Sequence, residues 1–224
     1  MKKVILCVMS CACICALSFG QVKKTTSKIA PLFAANLSNA EYNKSVWSVD
    51  KSGVLSASAD EAIWTTKEYE NFELTLEFKN DVCTNSGVFV YCSDKNNWVT
   101  NSVEIQIADD YCPKWTDWRS DWRCGAIFGH LAPSQPNVVK KPGEWNTMKI
   151  TAKGKNIVVE LNGKKITNMD MNLWTSGKVN PNGSEIPSWL NKPLAELQTK
   201  GRIGFQGKHG DAFIWFRNIK IKEL

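Results

Sequence analysis

The sequence predicts an all-β domain, a jelly-roll sandwich of two antiparallel sheets, and three observations carry that prediction. Phe72 to Phe78, Gly87 to Tyr91 and Ser102 to Asp109 alternate apolar with other residues at period two, the mark of strands with one buried face. The remaining apolar runs are short and are separated by Gly, Pro, Asn and Asp, which supply turns. No heptad, solenoid period or low-complexity segment interrupts the pattern. About 200 residues after an apolar leader suffice for one sizeable core.

In chain order, residues 1–20 read as a secretory signal. Lys2 and Lys3 form its charged start, Val4 to Leu17 its apolar run, and Ser18-Phe19-Gly20 its cleavage site. The run is short for a membrane span, and no other long apolar stretch follows. Cys11 after Val8-Met9-Ser10 is a lipoprotein alternative. Met9 fits that pattern poorly, so simple export to the periplasm or cell surface ranks first. Residues 21–30 are a polar, lysine-rich lead-in, and 31–224 form one domain. Trp47 to Leu55 reads as strand, turn and strand, with Ile63-Trp64-Thr65 next and then the three alternating strands. Asp110 to Arg123 is a long loop carrying Tyr111, Trp115, Trp118 and Trp122; loops of that length in compact domains are usually functional. Gly125 to His130 is expected as a strand ending on histidine. Thr147 to Ala152 and Asn156 to Leu161 are strands, with a hairpin turn at Asn162-Gly163. Asn168 to Lys200 is irregular, with one helical turn expected over Pro193 to Gln198. Gly201 to Gln206 and Ala212 to Ile221 close the chain as strands.

The chain carries 28 basic and 22 acidic residues, net +6; loss of Lys2 and Lys3 with the signal leaves about +4. The lysines are scattered, often as pairs such as Lys140-Lys141 and Lys164-Lys165, a solvated surface rather than a nucleic-acid stripe. Of eight cysteines, Cys83, Cys92, Cys112 and Cys124 lie beyond the signal, and three pairings are open. The preferred bridge is Cys112–Cys124, clamping the base of the Trp-rich loop, with Cys83–Cys92 as the other. No spacing of Cys and His suits a structural zinc.

If the three alternating strands are neighbours, their polar faces make one floor holding Glu77, Phe89, Tyr91, Glu104 and Gln106. Acid, amide and aromatic groups together suit a sugar, and Trp115, Trp118 and Trp122 add indole faces on which a sugar can stack. Glu104-x-Gln106-x-x-Asp109 is the sharpest chemical signal. A β-bulge after Gln106 brings Asp109 back to the face of Glu104, and paired carboxylates serve acid–base chemistry at glycosides. The spacing resembles the E-x-D-x-x-E strand of family-16 endoglucanases, with Gln and Asp substituted at the second and third positions. The two histidines, His130 and His209, fall at strand ends, where loops gather. A divalent cation near Glu104 and Asp109 is an open possibility.

An ordered set of short motifs resembles the 3-keto-disaccharide hydrolase family, formerly domain of unknown function 1080 and common in secreted Bacteroidetes proteins. The set is Asn71-Phe72-Glu73-Leu74, Asn85-Ser86-Gly87-Val88, Glu104-Ile105-Gln106, Gly143-Glu144-Trp145-Asn146, Leu161-Asn162-Gly163, Gly201 to Gln206, His209-Gly210 and Phe216-Arg217-Asn218-Ile219. The resemblance spans Pro31 to Leu224. It implies a concanavalin A-like sandwich and cleavage of glycosides oxidised at C3, by elimination and hydration. Glu104, Asp109 and His130 are the expected proton-transfer groups. Gln106, Gln206 and His209 are expected to orient hydroxyls or the oxyanion. A lectin-like binding module, a family-16-like glycosidase and a surface protein with no sugar site are the alternatives on the same fold.

Overall fold

The computed structural model describes residues 28–114 and 119–224, so the signal segment, Trp115 and Trp118 lie outside the described residues. The strands in chain order are Ala30–Pro31 (β1), Ala40–Glu41 (β2), Trp47–Val49 (β3), Leu55–Ala57 (β4), Ala62–Tyr69 (β5), Phe72–Asn80 (β6) and Asn85–Cys92 (β7). Val103–Ala108 (β8), Trp145–Lys153 (β9), Asn156–Leu161 (β10), Lys164–Asp170 (β11), Gly201–Gln206 (β12) and Ile214–Glu223 (β13) complete the set. They form two antiparallel sheets. The larger runs β11-β10-β9-β6-β13-β4-β3 with β1 on β13; the smaller runs β2-β5-β12-β7-β8. One apolar core fills the space between them, with Leu74, Leu76, Phe78, Ile150 and Phe216 from the larger sheet meeting Val88, Ile105, Ile107, Ile203 and Phe205 from the smaller. Burial on β6 alternates residue by residue, as the sequence periodicity requires for a strand with one wet face.

Several expectations need correction. β6 and β7 follow one another in sequence but belong to different sheets, so Glu77 is not on the floor that holds Glu104. It faces out from the larger sheet, accepting from Arg217 Nε at 2.7 Å and Asn218 Nδ2 at 2.9 Å. Tyr91 is also displaced. Its φ of 58° makes a bulge, seen as a register shift where Cys92 pairs with Arg202 while Phe89 pairs with Gly204. The extra residue reverses the alternation. Tyr91 therefore turns into the core, edge-on to Phe72, and its hydroxyl donates to Gly154 O at 2.8 Å. Residues 125–131 form turns rather than a strand, tied to β8 by Gln106 N to Ala126 O, Gly125 N to Gln106 O and Phe128 N to Glu104 O.

The disulfide joins Cys83 to Cys112, with Cα atoms 4.9 Å apart, and neither Cys112–Cys124 nor Cys83–Cys92 is formed. The register of β7 on β8 decides this. Asn85 pairs with Ala108, Asp109 N donates to Thr84 O, and the two chain ends beyond the ladder carry Cys83 and Cys112 together. Cys92 and Cys124 are free and buried. Burial pushes the Cys92 thiol up to about 11 and the Cys124 thiol well above its ordinary value, so neither is a ready nucleophile. Non-reducing peptide mapping is expected to return a Cys83–Cys112 crosslink, with Cys92 and Cys124 alkylated only after unfolding. Replacing both bridged cysteines with alanine should lower unfolding free energy in urea by about 3 kcal/mol for a loop of this length.

Candidate active site

The outer face of the smaller sheet gathers most of the sequence-predicted groups. Its register lines up Trp64 on β5, Gly204 on β12, Phe89 on β7 and Glu104 on β8 as one row across four strands. Trp64 stacks on Phe89 with centroids 5.4 Å apart, and Trp98, from the short helix Trp98–Asn101, closes on Phe89 at 4.3 Å. This aromatic cluster lies outside the main core and gives one end of the face an apolar wall. Gly204 is required in the row because a Cβ there would come within 2.4 Å of the Trp64 ring.

The next row carries the polar chemistry. Gln206 pairs with Ala62, and Gly87 pairs with Gln106; the register of Val88 on Phe205 sets Gly87 beside Gln206. The Glu104 carboxyl lies over Gly87, where a Cβ would stand 2.3 Å from Oε1. Among the described residues no cation pairs with it. Desolvation first, and the nearby charge of Asp60 second, push its pKa up to about 8, which favours its protonated form at neutral pH. Gln106 is buried, donates from Nε2 to Asn85 Oδ1 at 2.9 Å, and leaves its Oε1 without a partner.

Across Gly87 from Glu104 stands a group that periodicity did not single out. Asp60 precedes β5 and is held beside the β12 end by Gly207 N to Glu61 O and Lys208 N to Ala59 O. Gly207 permits that approach, since a Cβ would meet Ala59 O at 2.4 Å. Asp60 Oδ1 accepts from Gln206 Nε2 at 3.1 Å, and Asp60 Oδ2 lies 2.5 Å from His209 Nδ1. Gln206 and His209 were visible in the sequence; Asp60 carried no local signal. Only the pairing of residues 59–61 with 207–208 reveals it.

The other predicted residues behave differently. β8 pairs with β7 without a register shift, so no bulge returns Asp109 to the face of Glu104, and their odd separation leaves them on opposite parity. Asp109 is buried, accepting from Cys83 N at 2.9 Å and Tyr111 N at 3.1 Å. It shapes the turn that the disulfide closes. A cation held jointly by Glu104 and Asp109 does not fit this arrangement. The cluster of Cys83, Asp109 and Cys112 is no ligand set either, because its sulfurs are bonded to each other. His130 borders a cavity of about 20 Å³ together with Glu104, room for a single water. Its Nδ1 donates to Phe128 O at 2.8 Å and its Nε2 is buried without a hydrogen-bond partner. Burial lowers its pKa and keeps it neutral. Trp122 packs on Phe128 and Trp189, at 5.3 and 6.5 Å, a packing arrangement on the loop.

Two measurements test this geometry. Gly87→Ala has no positive φ to strain, so its effect should come from displacing the Glu104 carboxyl. Turnover of any substrate of this site is expected to fall about tenfold or more, with the fold retained by circular dichroism. The second concerns pH. A carboxyl raised from 4.5 to about 8 in the folded state binds a proton there that the unfolded chain releases, so stability falls as pH rises through that window. Glu104→Gln removes the titration. Its Tm advantage over wild type should therefore grow between about pH 4.5 and pH 8, then level off at about ten degrees.

Residues 31–222 match the model of the 3-keto-alpha-glucoside-1,2-lyase-like domain. A protein named 3-keto-disaccharide hydrolase from Bacteroides thetaiotaomicron is 32% identical over 177 residues, 70% of this chain. The chain spans 60% of that relative's length. A provisionally named glycosyl hydrolase from Parabacteroides distasonis, known from its crystal structure, is 64% identical with a TM-score of 0.86, covering 88% of this chain and all of that one. A second such structure from that organism, 24% identical and covering 88% of this chain and 94% of its own, shares the fold at a TM-score of 0.68. The chain belongs to the 3-keto-alpha-glucoside-1,2-lyase-like family.

Proposed function

We propose that this member of the 3-keto-alpha-glucoside-1,2-lyase-like family cleaves the glycosidic bond of 3-keto-glucosides, 3-keto-disaccharides included, by elimination across C1 and C2 followed by hydration. The observation that carries the reading is the neutral, desolvated carboxyl of Glu104 lying over a glycine floor and facing the Gln206–Asp60–His209 row. A retaining double displacement needs an ionised carboxylate nucleophile opposite an acid. Here burial and the Asp60 charge favour the protonated form of Glu104, Asp109 is capped by backbone amides and Asp60 is engaged by Gln206 and His209.

A ketone at C3 changes what the site must do. It acidifies the C2 proton, so a base can remove it and leave an enolate on the C3 oxygen. Collapse of the enolate forms the C1–C2 double bond, restores the ketone and expels the aglycone oxygen. Addition of water across the double bond gives the free 3-keto sugar. The sequence needs a base and an acid but no covalent glycosyl-enzyme. The family's description supports a 1,2-lyase step, and the name of the Bacteroides relative supports a disaccharide substrate. Export is part of the same reading. It is supported by the leader-like first twenty residues and by a disulfide that persists in oxidising compartments.

The test compares 3-keto-trehalose and 3-keto-glucosides with their parent sugars, using wild type and Glu104→Gln. Wild type is expected to turn over the keto sugars at least about a hundredfold faster than the parents, and the variant to lose about a hundredfold or more in kcat on the disaccharide. Equal turnover of keto and parent sugars removes the keto-specific reading. Binding without turnover of any sugar leaves a lectin-like module.

A further inference from the structure

We propose that His209, aligned by Asp60, is the base that removes the C2 proton, and that Glu104 is the acid that protonates the departing glycosidic oxygen. The assignment rests on the elimination reading above and divides its two proton transfers between opposite sides of the Gly87 floor.

The geometry of His209 suits a base. Its Nδ1 lies 2.5 Å from Asp60 Oδ2, so the ring proton is held on Nδ1 and Nε2 presents its lone pair. Asp60 is itself fixed by the second hydrogen bond, from Gln206 Nε2 at 3.1 Å, and by the backbone bonds of its neighbours to residues 207 and 208. A carboxylate behind a histidine sets the tautomer and stabilises the imidazolium that forms when Nε2 takes a proton. His209 is also within a substrate's reach, with its side chain 48% exposed. The competing bases are less exposed: His130 is 6% exposed with its Nε2 buried, and both Asp109 oxygens are occupied by amides.

Glu104 meets the opposite requirement. A carboxyl in a desolvated position with a second carboxylate nearby favours its protonated form, and a protonated carboxyl donates. Glu104 leans from β8 over Gly87 on β7, and Asp60, just before β5, reaches to Gln206 on β12. The two groups therefore stand over neighbouring strands, about one strand spacing (~5 Å) apart, so that one sugar seated above both can reach each of them. In that position C2 and the C1 oxygen, on adjacent carbons, can face opposite walls. The C2–H bond breaks toward His209 Nε2, its electrons form the enolate, and the C1–O bond breaks toward the proton of Glu104. The net result is one alcohol released, one C1–C2 double bond formed, and one proton moved from Glu104 to its leaving group while His209 gains one. Hydration of the double bond and solvent exchange restore both groups.

Exchange in deuterium oxide separates the two roles. The probes are methyl 3-keto-α-glucoside, with a poor leaving group, and 4-nitrophenyl 3-keto-α-glucoside, with a good one. NMR follows loss of the C2 proton signal alongside aglycone release. Glu104→Gln is expected to keep C2 exchange while release of methanol falls about a hundredfold and release of nitrophenol stays within about tenfold of wild type. His209→Gln should lose exchange and both releases by about a hundredfold. Asp60 acts through His209, so Asp60→Asn should slow exchange with KM unchanged, and Asp60→Glu should restore part of the rate. Wild-type exchange in His209→Gln overturns the assignment, as does loss of exchange in Glu104→Gln. Wild type inert toward both probes overturns the elimination reading itself, a result distinct from either.

Discussion

The absence of a side chain at Gly87 is the constraint on which the site depends. β7 is an inner strand of the smaller sheet, with β12 on one side and β8 on the other, so a residue at position 87 projects between Gln206 and Gln106. Leaving that spot bare lets the Glu104 carboxyl fold over the sheet instead of standing away from it. The carboxyl then loses its water without gaining a cation, and its proton becomes hard to remove. An ionisable group kept neutral by its surroundings costs stability at alkaline pH, and such costs are typical of functional positions.

The opposite wall depends on backbone contacts. Residues 59–61 run beside 207–208 because Gly207 lets two carbonyls approach where a Cβ would collide. That approach brings a carboxylate from the start of β5 to an imidazole beyond β12, two elements nearly 150 residues apart in sequence. The aromatic wall of Trp64, Phe89 and Trp98 is assembled in a similar way, with Gly204 making room for the Trp64 ring. Glycines at 87, 204 and 207 thus keep a bare floor within a sheet of bulky neighbours. The disulfide and the Asp109 turn brace the end of β7 and β8, and so hold the register that aligns Glu104 with Phe89.

Much of this was legible in the sequence, because a period-two pattern is a local property. β6, β8, β9, β10, β12 and β13 follow from alternation and turn residues, and the outward placement of Phe89, Glu104 and Gln106 follows from parity along single strands. The family resemblance drew on the same local motifs. What sequence could not decide is which strands are neighbours. Glu77 has the right parity but lies on the other sheet. Tyr91 has the right spacing, but one residue with positive φ inverts it. Asp109 was expected to return through a bulge that the ladder does not contain. Cys112 was assigned to the wrong partner, because pairing is set by register rather than by loop length. The Asp60–His209 contact is the fullest case, since Asp60 carries no local pattern and its histidine partner lies nearly 150 residues away. Alternation along a strand is enforced by the covalent geometry of the chain and is therefore written in the sequence. Adjacency between strands is settled by which faces bury most apolar surface together, and only the folded sandwich decides it.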